Sequence, residues 1–253
     1  MAESEGRDAE TMQSEQAPQM NTLQKAWGIF FEPSKTFLSL KQTPTWLFPV
    51  IVLIVIVMIT NVLVTPFRMQ EAIERIDQNP RLSPQQKEEF IDRMEEQQAK
   101  PVMKLLSYVI GPIVAIFVIV LVVSGFLYFG GNVLLGGETS FKKIISVYCW
   151  SSLVAIPALI LKTPLMLLKR SAQVHTSLAA LMPSGSDEGL LFKILTHTDI
   201  FVIWEIWLIS IGLALVYKFS TKKTASMVIG LYLFYVVIAV AFSMLTKGRF
   251  MMG

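Results

Sequence analysis

Five apolar stretches alternate with polar segments along the chain, at about residues 46–65, 105–130, 144–165, 200–218 and 225–245. Each approaches or exceeds the ~20 residues with which a helix crosses the hydrocarbon core of a bilayer. None alternates apolar and polar positions with a period of two, and an open strand edge cannot satisfy its backbone in lipid, so helices are the remaining choice. The pattern predicts an all-α polytopic membrane protein with five transmembrane helices and two amphipathic extramembrane loop helices. The first loop helix lies in the polar segment 66–104, where Ser83-Pro84-Gln85-Gln86 has the form of a capped start and Phe90, Ile91 and Met94 make a narrow apolar stripe. The second is expected in 169–199, where Val174, Leu178 and Leu181 recur at helical spacing before the turn Pro183-Ser184-Gly185-Ser186. Residues 1–22 read as a disordered acidic tail, 23–246 as one membrane domain and 247–253 as a short tail.

Composition sharpens this. The chain is 53% hydrophobic and 16% charged, with a mean hydropathy of +0.54, against about 25% charged residues in a soluble domain. A soluble enzyme is a poor match. The net charge of +3 includes no basic block dense enough for nucleic acid, which is not expected as a partner. A single cysteine, Cys149, cannot close an intrachain disulfide. The first apolar run begins only near Trp46, so no signal peptide is read and the first span is expected to direct insertion. Five spans put the N-terminus and the short loops 131–143 and 218–224 on one face. There Lys142, Lys143, Lys218, Lys222 and Lys223 meet a single acid, Glu138, which favours a cytoplasmic N-terminus.

Two segments carry a resemblance. Trp27-Gly28-Ile29-Phe30-Phe31-Glu32-Pro33-Ser34-Lys35-Thr36-Phe37, continued by Pro44-Thr45-Trp46 and Pro49, resembles the aromatic entry of the Yip1 domain. Gly130-Gly131-Asn132-Val133-Leu134-Leu135-Gly136-Gly137-Glu138-Thr139-Ser140-Phe141-Lys142, followed by Tyr148 and Pro157, resembles the glycine-rich hairpin after that domain's second span. The resemblance covers about residues 23–245 and implies five spans with a cytoplasmic N-terminus. Eukaryotic members carry a longer cytosolic N-terminal region and associate with Rab GTPases; this chain has about forty residues before its first span and resembles the bacterial branch more closely. That implies an integral protein of the bacterial inner (cytoplasmic) membrane.

Several residues could carry chemistry. Trp27, Phe30, Phe31, Phe37 and Trp46, mixed with lysines, suit an interfacial anchor, and Pro33 should divide that segment. The pairs Gly130-Gly131 and Gly136-Gly137 suit a tight turn with positive φ, or a nest of N–H groups for an anion. Lys162 and Glu205 are ionisable groups inside apolar runs, at similar depth on either side of one loop, and are expected to snorkel or to pair with each other. Pro157 and Pro164 interrupt the third span, and Ser226/Gly230 and Ala239/Ser243 would allow close helix approach in the fifth. His175, His197 and Asp199 lack metal-site spacing, no nucleophile has a recognisable base, and no metal, cofactor or catalysis is expected. The reading is a non-enzymatic membrane protein that organises membrane or recruits partners: lipids, a second copy of the chain, or other membrane proteins. The alternative is a small transporter or channel using Lys162 and Glu205.

Overall fold

The computed structural model describes residues 19–171, 177–182 and 189–252, with backbone alone at residues 180, 181 and 245–252. Among the described residues it is all-helical, with nine helices: α1 (Thr22–Phe31), α2 (Pro33–Gln42), α3 (Leu47–Asp77), α4 (Pro84–Ala99), α5 (Pro101–Leu134), α6 (Phe141–Lys169), α7 (Leu190–Thr196), α8 (Ile200–Tyr217) and α9 (Thr221–Met252). Five of them, α3, α5, α6, α8 and α9, are long and apolar enough to cross a membrane. The expected acidic tail up to Ala17-Pro18, and the turn 183–186, lie outside the described residues.

Local chemistry explains the boundaries. α1 starts on a capping box in which Asn21 Oδ1 accepts from the Gln24 N–H at 2.8 Å and Gln24 Oε1 accepts from the Asn21 N–H at 2.9 Å. Pro33 stands at the first turn of α2, so the aromatic segment is two helices and not one. α4 begins where the sequence places it, with the reciprocal Ser83–Gln86 bonds at 3.2 and 2.9 Å. The second loop helix differs from expectation. Leu178–Leu181 is a short 3-10 turn, Val174 is not among the described residues, and the α-helix follows at Leu190–Thr196.

Four of the five spans, α3, α5, α6 and α9, are longer than their apolar runs, while α8 matches its own. α3 passes through Pro66 to Asp77, well beyond the apolar end at Thr65. α5 holds a π-turn at Leu106–Ile110, where the Gly111 N–H reaches the Leu106 carbonyl. Pro112 has no N–H to offer one turn back, and the Ser107 carbonyl instead accepts from Asn61 Nδ2 at 2.9 Å. α6 tightens to a 3-10 turn at Ser152–Val154, just before Pro157, whose missing N–H and ring disfavour a continuous α-helix there. Pro164 is absorbed inside the same helix.

The chain divides into two compact units. The first takes the described residues up to Pro49, Leu121–Leu153 and those from Val202 on; the second takes Val50–Val120 and the described residues of Val154–Phe201. The core of the first unit is formed by Ile29, Phe37, Leu40, Ile144, Val147, Trp150, Leu208 and Leu213, all at most 1% exposed. The Thr45 carbonyl, just before α3, accepts from both Ser146 Oγ and Trp150 Nε1 at 2.7 Å, and Phe48 stacks on Trp150. These bonds tie the end of the N-terminal helix pair to α6.

Candidate functional site

Within the first unit, α2, α6 and α8 meet at Gly212. A methyl group there would fall 2.5 Å from Val147 Cγ1 and 2.9 Å from Phe37 Cε1, so only glycine lets the three backbones come so close. From this point each element carries a lysine towards the same end. Lys41 follows Phe37 by one turn on the same face of α2, Lys143 precedes Val147 by one turn on the same face of α6, and Lys218 lies just past the end of α8. Burial first, and then the charges of Lys218 and Lys143, hold the Lys41 ammonium below the usual lysine range. No ion pair joins any of the three to a carboxylate among the described residues.

Lys218 is also in an unusual backbone state. Its φ is +57°, and the next N–H, of Phe219, bonds back to the Ala214 carbonyl at 3.0 Å. This is the position after a helix that glycine usually fills, and an L-residue there costs about 1 kcal/mol.

The glycine hairpin lies beside this end. Tyr217 donates from its hydroxyl to Asn132 Oδ1 at 2.6 Å, and Asn132 Nδ2 donates to the Thr139 carbonyl at 3.2 Å. A methyl on Gly131 would lie 2.2 Å from Tyr217 Cζ, and one on Gly137 would lie 2.5 Å from Tyr217 Cδ1. The expectation of positive φ is corrected here: of the four glycines only Gly136 has it, at +67°, while Gly130 and Gly131 continue α5 in a π-turn. Gly131 and Gly137 therefore serve closeness to Tyr217 rather than backbone conformation, while Gly130 lies against the flexible side chain of Met227. The nest reading gains nothing from the loop, since the N–H groups of Leu135 and Gly137 bond back to Gly130 and Gly131 carbonyls. The close approach expected at Gly230 is not there either, for a methyl would meet nothing within 4 Å.

Each of the two ionisable groups within the apolar helices has a partner inside its own unit. Lys162 pairs with Asp199 at 2.5 Å, with side chains 24% and 10% exposed, and sits 6.0 Å from the centroid of the Phe201 ring. Asp199 also caps α8, its Oδ1 accepting from the Phe201 N–H at 2.9 Å. Glu205 accepts from Ser152 Oγ at 2.9 Å, at the 3-10 turn of α6. Depth along the chain, which sets Lys162 and Glu205 at the same level, does not by itself point to Asp199, at the very start of the run, or to Ser152.

The aromatic anchor divides as well. Leu23, Trp27 and Phe31 form an exposed ridge along α1 at 69, 70 and 75%, with Trp27 and Phe31 stacked at 6.0 Å. Phe37 is fully buried, so it is core and not an interfacial anchor, and Phe30 packs edge-on against Trp204 at 5.8 Å. Trp46 is half-buried just before α3. Of the three ligand candidates His175 lies outside the described residues, and no metal-binding cluster occurs among those described.

Five apolar helices with inward polar contacts and an uncovered aromatic ridge define a polytopic helical membrane protein. Residues 27–244 match the Yip1 domain, and the chain belongs to that family, whose members are generally non-enzymatic proteins of membrane trafficking. No curated protein and no solved structure matches it.

Proposed function

We propose that this protein organises the bilayer by inserting its N-terminal helix pair as a wedge into one leaflet, where it also gathers lipid or protein partners, and that it catalyses no reaction. The observation that carries this reading is the course of α1 and α2 along α8. The pair is an antiparallel hairpin, tied at its open end by Lys25 Nζ donating to Thr43 Oγ1 at 3.3 Å. Its contacts with α8 run from Gly212, against Phe37, to Trp204, against Phe30. That is about two turns, or ~12 Å of helix at ~1.5 Å per residue. A pair lying flat in the headgroup plane would touch a spanning helix over a single turn.

The ridge Leu23-Trp27-Phe31 then faces the acyl chains, and the charges at the hairpin tip, Glu32 and Lys35, neutralise each other at 2.8 Å. Extra volume in one leaflet and not the other favours bending. A cytoplasmic position for this hairpin is supported by the lysine-bearing short loops, and a bacterial inner membrane by the resemblance to bacterial members of the family. Lys162 and Glu205 support a transport reading less well, since each is bonded to a partner suited to hold it in place.

The test is reconstitution of the full chain into large vesicles at rising density. Mean vesicle diameter should fall with the parent, and less with the variant carrying Trp27→Ser and Phe31→Ser. Labels on Leu23→Cys and Phe31→Cys, with the buried Cys149 replaced by Ala in both, should be quenched by shallow and deep lipid quenchers respectively. Unchanged diameters together with equal, shallow quenching would end the wedge reading. A saturable solute flux abolished by Lys162→Gln would favour the transporter.

A further inference from the structure

We propose that Lys41, Lys143 and Lys218 form a binding site for a phosphate group, such as an anionic lipid presents, at the open end of the N-terminal hairpin. The site needs the chain to be membrane-embedded but does not depend on the hairpin acting as a wedge.

The argument begins with convergence. The Gly212 contact fixes α2, α6 and α8 side by side; Lys41 and Lys143 leave it on the faces already in contact, and the exposed Lys218 follows just past the end of α8, all towards the end where α8 stops and α6 begins. Three ammonium groups brought together repel one another, and nothing among the described residues neutralises them by an ion pair. Lys41 and Lys143 are half-buried, so bulk water screens them only partly. A phosphate, with one or two negative charges and several acceptor oxygens, is the complement of such a trio. Lys25 adds to the positive field of the same end, being buried at 6% exposure with Thr43 Oγ1 as its hydrogen-bond acceptor.

Lys218 supplies the second line of evidence. A lysine occupies a position whose φ of +57° favours glycine. Backbone strain of this kind clusters at functional sites, and the residue that bears it here adds a positive charge at the end of α8, near enough to Lys41 to disfavour a second ammonium. The level is that of a lipid headgroup, because the lysines lie at the ends of the apolar helices α6 and α8.

The test uses the full chain in mild detergent, titrated with phosphatidic acid, phosphatidylglycerol or phosphatidylcholine, with bound lipid counted by native mass spectrometry and thermal melting recorded alongside. The parent should retain one anionic lipid in preference to phosphatidylcholine. Lys41→Gln, Lys143→Gln and Lys218→Gly should each weaken retention about fivefold, the equivalent of one surface cation. Lys218→Gly is the informative variant, since it relieves the strained φ and should melt no lower than the parent while losing lipid. Lys222→Gln, an exposed neighbour outside the trio, should change retention by less than about twofold. Retained lipid that inorganic phosphate fails to displace assigns the site to a headgroup. Saturable inorganic phosphate binding without lipid retention assigns it to a soluble phosphate. Unaltered retention in Lys218→Gly, an equal loss in Lys222→Gln, or no binding of either probe would overturn the proposal.

Discussion

Helices α5 and α6 are both apolar spans, yet 67% of the most apolar window of α6 is buried against 6% for α5. The difference follows their polar residues. The buried stretch Ile144–Ser151 includes Ser146, Tyr148, Cys149, Trp150 and Ser151, whereas α5 between Gly111 and Tyr128 is nearly pure Val, Ile, Leu, Phe, Ala and Gly. In water the more apolar helix would be the one inside. In lipid an outward Val or Leu loses nothing, and it is serine, tyrosine and indole N–H that need protein partners. The less hydrophobic helix is therefore the core helix. Trp150 and Ser146 illustrate the gain, together supplying two donors to the Thr45 carbonyl.

This contrast can be broken by truncating one large side chain on each helix. Trp150 is fully buried, stacked on Phe48 and hydrogen-bonded to Thr45. Trp150→Ala should cost about 3 kcal/mol, the lower part of the range for large core truncations, since lipid rather than water surrounds the unfolded helix. Phe126 on α5 is 49% exposed, and Phe126→Ala should cost less than ~1 kcal/mol. Thermal unfolding of both variants in the same detergent measures the gap. Equal shifts would mean that α6 is no more a core helix than α5.

Glycines sharpen the comparison from the opposite direction, by adding atoms. Gly212, which α6 and α2 press against, has no room for a methyl, so Gly212→Ala should destabilise by about 1–3 kcal/mol through overpacking. A methyl on Gly125 of α5 would meet nothing within 4 Å. There the better helix propensity of alanine should stabilise the protein by up to ~1 kcal/mol. The sign of the change, read from the melting temperature, is the result that matters. A destabilising Gly125→Ala would reveal a neighbour pressed against α5.

How far the sequence reports these features depends on whether they are local. Five spans follow from apolar length, and the starts of α2 and α4 follow from Pro33 and from Ser83 with Gln86, because caps are decided within a few residues. The extension of α3 past Thr65 was hidden, because its continuation is polar and Pro66 reads as a stop when it is in fact absorbed. At the candidate site, the positive short loops were legible as a topological bias. The convergence of Lys41, Lys143 and Lys218 was not, since it depends on Gly212 bringing three distant segments together. Phe37 was misread for the same reason: an aromatic at a helix end looks alike whether it faces headgroups or a neighbouring helix. Asp199 left a visible signal, an acidic residue directly before an apolar run, which is the form of an N-cap.

The smallest effect expected concerns the one place where α6 carries a charge within its apolar stretch. α5 has no Asp, Glu, Lys or Arg from Leu105 to Leu134, in keeping with its exposure. Lys162 on α6 is tolerated because Asp199 meets it at 2.5 Å, while the same carboxylate caps α8 through the Phe201 N–H. Asp199→Asn keeps the capping oxygen and removes the charge, so it isolates the ion pair from the cap. Lys162→Gln removes the other charge with little change in length. Each single variant removes this ion pair while keeping one partly buried charge, and should destabilise. The double variant leaves none, and should lose less than the sum of the singles. With side chains 24% and 10% exposed, the pair is mostly shielded from water, and a coupling of about 1 kcal/mol is expected from the double-mutant cycle. Strict additivity of the two losses would show that Lys162 reaches water by itself, and that α6 carries its charge as a snorkelling residue on an outward face.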